Sequence, residues 1–253
     1  MRRDDTPRGT AVLNRMRRLG PVSESELAAV TRSLAMTRRT SARRDISAER
    51  SPDGEPRMLV AGWAALSRIM VDGRRQILDL VLPGELLATR PKRGLSSLTT
   101  VSAITDVEFG PVVEPFDAGG GLAEVYAVSN ALHEHYLYRQ IARLGRLNAY
   151  ERTIDWFLEI HERLEMSGLT TLHSFPFPVT QEILADVLGM TGVHVNRTLQ
   201  ALRRDGMLEI RDGRVALSSI DELKTLVAFE PSSSVLGLRA LATMPPVAAA
   251  RAS

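Results

Sequence analysis

Along this chain, apolar positions recur every third or fourth residue in some stretches and cluster in short β-like runs in another; that change of period divides it. Ser23-Glu24-Ser25-Glu26 fits a capping box, so a helix is predicted to start there, with Leu27, Val30 and Leu34 as its apolar stripe and the arginine-rich segment from Arg38 to Arg44 ending the pattern. From about Met36 to Pro115 the runs shorten and are broken by glycine and proline, as in "RMLVAGWAALSRIM", "RRQILDLVLPG" and "TTVSAITDVEFGPVV", which predicts an antiparallel β domain. Asp72-Gly73 lies between two such runs and suits a tight hairpin; Ile77 to Leu82 is nearly all apolar and should lie deep.

After "DAGGG", read as a hinge, a helix is predicted from about Leu122 to Leu147, with Leu122, Val125, Leu132, Leu137, Ile141 and Leu144 as its stripe. That stripe is wide enough to pack on the β domain or against a twin helix, and its register drifts near Tyr136, so a strict coiled coil is not predicted. A further helix carries Ile154, Phe157, Leu158, His161 and Leu164 on one face, and Gly168 supplies its stop. The prolines of "SFPFP" cannot sit inside a helix, so a compact C-terminal unit begins by about Val179.

Two helical pieces fit in that unit: "TQEILADVL" and "GVHVNRTLQALRRDG", joined through Gly189-Met190-Thr191, which is the spacing of a helix-turn-helix. With Val195, Leu199 and Leu202 turned to a core, the opposite strip holds Val193, Asn196, Arg197 and Gln200. In a DNA major groove arginine can bind guanine, asparagine or glutamine adenine, and valine a thymine methyl. Thr180 can cap the first helix and Thr191 the second, and with Gln181 and His194 they stand at or beside the two helix starts, where free amides can meet phosphates. "MLEIRDGRVALS" then reads as a hairpin wing with Asp212-Gly213 at its turn, flanked by Arg211 and Arg214 as further phosphate contacts. The expected fold class is α+β: an N-terminal antiparallel β domain, a long connecting helix and a C-terminal winged helix-turn-helix.

Composition narrows the chemistry. The 253 residues suffice for two domains, and no apolar run reaches the roughly 18 residues of a membrane span. The opening "MRRDDTPRGT" lacks the apolar segment of a secretory signal, so the expected location is cytoplasmic. The absence of cysteine excludes an iron–sulfur cluster held by thiolates. Net charge is only +2, and the arginine runs "RMRR" and "TRRTSARR" read as solvated surface. His133 and His135 lie two apart on a helix and cannot readily share a metal ion. Trp63 and Trp156 read as core anchors, Gly119-Gly120-Gly121 lacks the context of a phosphate loop, and no nucleophile–base constellation can be assembled, so an enzyme is not expected. The last segment, from 231 on, is small, proline-containing and without an amphipathic stripe, and reads as a mobile end.

The stretch "FPVTQEILADVLGMTGVHVNRTLQALRRDGML" resembles the winged helix-turn-helix of the Crp/Fnr family of bacterial transcription regulators. "GWAALSRIMVDGRRQILDLVLPGELL" is similar to the β-roll of that family's cyclic-nucleotide-binding-like sensor, and "RLGRLNAYERTIDWFLEIHERL" to its dimerisation-helix region, so the likeness runs from about 11 to 229. The resemblance implies a homodimer paired through about 122–147 that binds a near-palindromic operator in double-stranded DNA and works with RNA polymerase. It divides the chain into a sensor (1–118), a dimerisation helix (119–147), a DNA-binding unit (148–230) and the tail.

Arg197 matches the family's base-reading arginine and Asn196 its neighbour. Val193 stands where a base-reading glutamate is often found and Gly192 where some members have a second arginine, so a different half-site is implied. The Gly-Glu and Arg-Ser pairs that hold cyclic AMP in some members are replaced by Ala88-Thr89 and Ser97-Leu98, which argues that cyclic-nucleotide binding is lost here. Arg90, Lys92 and Arg93 are weak candidates for another anion, and otherwise form an exposed basic loop. A non-catalytic scaffold with a winged helix, and a constitutive DNA-binding protein without an effector, are the alternatives.

Overall fold

The computed structural model describes residues 9–47, 56–87 and 99–235. Two helices lead, α1 (Thr10–Leu19) and α2 (Glu24–Ser33). The expected capping box forms: Ser23 Oγ accepts from the Glu26 amide at 3.3 Å while Glu26 Oε2 accepts from the Ser23 amide at 2.8 Å. The other oxygen of Glu26 accepts from the Leu122 amide at 2.9 Å, so one carboxylate also fixes the start of the long helix.

The strands are β1 (Arg38–Thr40), β2 (Asp45–Ser47), β3 (Arg57–Ala61), β4 (Ala64–Ile69), β5 (Arg75–Val81), β6 (Leu86–Leu87), β7 (Thr100–Ala103) and β8 (Val107–Pro111). They form two antiparallel sheets, ordered β1-β8-β3-β6 and β2-β7-β4-β5. Side chains alternate across a strand, and β3 shows where each face goes. Leu59 joins Val101, Val107 and Phe109 in one core, whereas Met58 and Val60 pack with Val12, Met16, Leu122 and Val125 of the helices. The β4–β5 connection is the expected tight hairpin, with Gly73 at φ 82° and a loop of three residues. The Met70 amide donates to Arg74 O at 2.8 Å, leaving Val71-Asp72-Gly73 as the loop, because the Asp72 carboxylate holds both the Arg74 amide (3.1 Å) and its Nε (2.7 Å).

The long helix α3 (Gly121–Arg146) divides the apolar stripe that the sequence presents as one. Leu122, Val125 and Leu132 are buried within their own chain, whereas Ile141 is 68% exposed, along with Tyr138. Helix α4 (Ala149–Met166) starts at once, because Asn148 Oδ1 accepts from the Tyr150 and Glu151 amides and Glu151 reaches back to the Asn148 amide. Beyond it come β9 (Ser174–Pro176), α5 (Gln181–Leu188), α6 (Gly192–Arg204), β10 (Leu208–Arg211), β11 (Arg214–Leu217), α7 (Ile220–Leu226) and α8 (Ser232–Val235). Trp63, Ile77, Leu80 and Leu82 of the β-roll share one core with Trp156, Phe157, Phe175, Leu184 and Leu199, so the two halves of the chain are packed together. Both tryptophans are core anchors, as expected.

A buried charge cluster lies at that junction. Arg163 donates to Asp79 (2.7 Å), Glu85 (2.9 and 2.7 Å), Glu159 (3.0 Å) and the Leu80 carbonyl (2.5 Å), with its guanidinium 4.5 Å from the Tyr136 ring centroid. Arg143 joins Asp155 (2.6 Å) to Glu159 (2.5 Å). Arg15, from the "RMRR" run expected to be solvated surface, is instead buried and 3.2 Å from Glu85. Its partner is supplied by a segment 70 residues away, out of reach of any local reading of charge.

The segment expected to be mobile from 231 begins with an ordered turn. Ser232 is fully buried, and its amide donates to Glu162 Oε1 at 3.0 Å. Upstream, Arg139 lies 3.6 Å from the Phe229 ring centroid and donates to Glu230 O at 2.8 Å. These contacts tie the segment to α3 and α4, and residues 236–253 lie outside the described range. Burial pushes the Glu162 carboxyl above the usual range, despite the Ser232 bonds and Arg139 pulling it down. The folded chain thus holds this proton more tightly than the unfolded chain, and stability falls as pH rises through the raised pKa. Glu162→Gln is therefore expected to raise the melting temperature at neutral pH, with the gain disappearing below the ordinary glutamate range; an unchanged melting temperature at both would contradict the assignment.

Candidate nucleic-acid interface

Helices α5 and α6 meet through a turn built by residue chemistry. Thr180 Oγ1 accepts from the Ile183 amide and Thr191 Oγ1 from the His194 amide, each at 3.3 Å, so both threonines are the N-caps expected of them. Gly189 takes φ 61°, the left-handed region that a Cβ disfavours, and lets the Met190 amide turn back to the Ala185 carbonyl at 3.1 Å. Leu184 and Leu188 of α5 and Val195, Leu199 and Leu202 of α6 then enter the shared core.

That seating turns the other face of α6 outward. Asn196, Arg197 and Gln200 are exposed, Val193 is 73% exposed, and among the described residues no side chain pairs with the three polar ones. The four form one continuous strip, since positions three and four apart are neighbours on a helix. Thr180, Gln181, Thr191 and His194 are exposed as well. The strip thus stands free while its flanks present polar groups and helix starts, an arrangement able to meet base edges in the middle and phosphates at the sides.

The wing forms by β10 and β11, with Arg211 paired in register to Arg214. Asp212 and Gly213 both have positive φ (50° and 72°), the two-residue turn that follows the twist of a hairpin. Both arginines are exposed: Arg214 Nε donates to Ser174 Oγ at 3.1 Å, and Arg211 Nε lies 3.6 Å from Asp212. β11 also pairs with β9, so "SFPFP" contributes a third strand. The other candidates fall elsewhere. Arg90, Lys92 and Arg93, with Ala88-Thr89 and Ser97-Leu98, lie outside the described residues. His133 Nδ1 sits 3.4 Å from Asp79 Oδ2, whereas the His135 ring packs against Tyr136, so the two histidines face different neighbours.

Sequence reasoning missed Gln76, Gln140 and Arg152, whose side chains donate to the last carbonyls of α5. Nothing local marks the two glutamines. Arg152 carries a faint signal, as a cation one turn into a helix whose own start favours anions.

A family model for the Crp-like helix-turn-helix domain matches residues 151–226. The nitrogen fixation regulation protein FixK of Bradyrhizobium diazoefficiens is 28% identical over 179 residues, 67% of this chain and 73% of that protein. The transcriptional activator protein FnrL of Cereibacter sphaeroides is 31% identical over 169 residues, 62% and 65% of the two chains. Among solved structures, FixK2 from Bradyrhizobium japonicum superposes with a TM-score of 0.64 at 24% identity, covering 75% of this chain and 96% of that one. A CRP/FNR-family regulator from Thermus thermophilus does so at 0.58 and 22%, covering 76% and 98%. These structures show the shared fold, and no helix among the described residues is long and apolar enough to cross a membrane. Fold, the exposed face of α6 and relatives agree: the chain carries a Crp-like helix-turn-helix domain, is similar to regulators of the Crp/Fnr family, and is a DNA-binding transcription regulator, not an enzyme.

Proposed function

We infer that the chain acts in the cytoplasm as a homodimer whose two α6 helices read a near-palindromic operator. The observation that carries this is the division of α6 into a seated apolar face and an exposed strip of Val193, Asn196, Arg197 and Gln200 that is unpaired among the described residues. Arg197 is the principal base contact, suited to guanine, with Asn196 and Gln200 suited to adenine and Val193 to a thymine methyl. Thr180, Gln181, Thr191, His194, Arg211 and Arg214 contact phosphates and set the register. Exposed Tyr138 and Ile141 on the C-terminal half of α3 support pairing with a second copy through about 122–147. The name of FnrL, a transcriptional activator, supports RNA polymerase as a further partner. The sensor is taken to have lost cyclic-nucleotide binding, on the strength of Ala88-Thr89 and Ser97-Leu98.

The test is binding to a duplex recovered by selection from random sequences with the full chain, and to its scrambled version, at two salt concentrations. Arg197→Ala should lose about 1–3 kcal/mol on the selected duplex and little on the scrambled one. Arg214→Ala should weaken both alike and flatten the salt dependence. Two chains per selected duplex are expected. Equal loss of preference from both substitutions, or from neither, would refute the assignment.

A further inference from the structure

The last four carbonyls of an α-helix have no partner within it and must find one elsewhere. In α5, the helix leading into the reading turn, the partners come from almost every neighbouring part of the chain. The Ala185 carbonyl is taken by the Gly189 and Met190 amides of the turn itself. The Asp186 carbonyl accepts from Gln76 Nε2 of the sensor strand β5 at 2.7 Å. The Val187 carbonyl accepts from Gln140 Nε2 of α3 at 2.6 Å, with Gln76 Nε2 again at 3.5 Å. The Leu188 carbonyl accepts from Arg152 Nη1 at 2.8 Å, and Nη2 of that guanidinium holds the Leu144 and Leu147 carbonyls at the end of α3 (3.1 and 3.0 Å). Beside them Arg75 of β5 pairs with the Asp186 carboxylate at 2.6 Å. Sensor, long helix and α4 therefore converge on one turn of backbone, directly before Gly189.

We propose that Gln76 is a positioning residue for operator binding: from the sensor sheet it grips the carbonyl end of α5 and so fixes where α6 points relative to the long helix. This rests on the dimeric reading above. In the gripped arrangement the strip of α6 is uncovered, so the grip favours the binding-competent placement rather than blocking it. Reading two half-sites at once requires the second α6 to be waiting in the right place, and each degree of freedom left to it lowers its effective concentration at the second half-site. Engaging a single half-site carries no such requirement. The residue thus acts on the step that joins the two half-sites and leaves the contact with each one alone.

The experiment compares full-length wild type, Gln76→Leu, Gln76→Glu and Gln76→Lys on three duplexes: the selected site, the same site with one half scrambled, and a fully scrambled one. Circular dichroism melting checks that each variant folds. Gln76→Leu, which lacks the donor, should bind the selected site about tenfold more weakly and the half-scrambled duplex as wild type does. Gln76→Glu, which sets a carboxylate against carbonyls and Asp186, should lose at least as much. Gln76→Lys restores a donor and adds a charge suited to a helix C-terminus, and should stay within about twofold of wild type. Loss of the same size on the selected and half-scrambled duplexes would show mere damage to the helix-turn-helix and overturn the proposal, as would no loss on either or failure of the lysine to rescue. If wild type itself gains nothing from the second half-site, the dimeric reading falls and this inference with it.

Discussion

Arg163→Ala is expected to destabilise the folded chain by about 3–5 kcal/mol, the usual cost of removing one partner from a buried charge cluster. The guanidinium bonds to Asp79, Glu85 and Glu159, and the variant would leave these buried carboxylates with fewer partners. Glu85 would keep Arg15 and Glu159 would keep Arg143, but among the described residues Asp79 would retain only His133, at 3.4 Å. Burial pushes the Asp79 carboxyl up, and the charges of Arg163 and His133 overcome it, holding the group below the usual aspartate range. Stability from Asp79 is thus present above the unfolded-state pKa and lost as pH falls through the lower folded one. Without Arg163, His133 is left to oppose burial, so the Asp79 carboxyl rises and the deficit should shrink on acidification as the carboxylates protonate. Urea unfolding followed by tryptophan fluorescence, at neutral and acid pH, measures both effects. A loss under about 1 kcal/mol, independent of pH, would mean that water replaces the guanidinium freely.

Leu199→Ala and Gln200→Ala should give opposite results from adjacent positions. Leu199 is 2% exposed and seated in the core shared by both halves of the chain. Its truncation removes apolar contacts and leaves a cavity, at a cost of about 2–5 kcal/mol. Binding to every duplex should weaken, because α6 loses its seat. Gln200 is exposed, and Gln200→Ala should leave stability within about 0.5 kcal/mol while narrowing the preference for the selected site. Thermal melting and binding to selected and scrambled duplexes separate the two. A preference lost in Leu199→Ala alone, with Gln200→Ala indistinguishable from wild type, would remove Gln200 from the reading strip.

What was legible in the sequence had its determinants close together along the chain. The Ser23–Glu26 capping box, the Thr180 and Thr191 caps, the Asp212-Gly213 turn and the two faces of α6 each depend on residues within a turn or two of one another. The errors have the opposite origin. Arg15 looks like surface until Glu85 is brought to it, and the ordered start of the C-terminal segment depends on Glu162 and Arg139 receiving it. Gln76 is an ordinary strand residue until α5 is laid against β5. Asp155, Glu159 and Arg163, spaced by four along α4, did offer a clue: a charged stripe beside an apolar face is costly to bury unless another segment brings partners. The apolar stripe of α3 was legible in extent and not in use, since periodicity shows that a face is apolar and not which neighbour covers which part of it.

The joint between α3 and α4 is two residues, Leu147 and Asn148, with a cap on the second. Adding or deleting one residue within α3 would swing everything after it by about 100° and shift it by about 1.5 Å. The grip of Gln140 and Arg152 on α5 would then come out of phase with the pull of β5. The long helix is in this sense a ruler whose graduations cannot be altered singly, and length changes in descendants of this chain should collect in its surface loops, where they leave the angle between sensor and reader untouched.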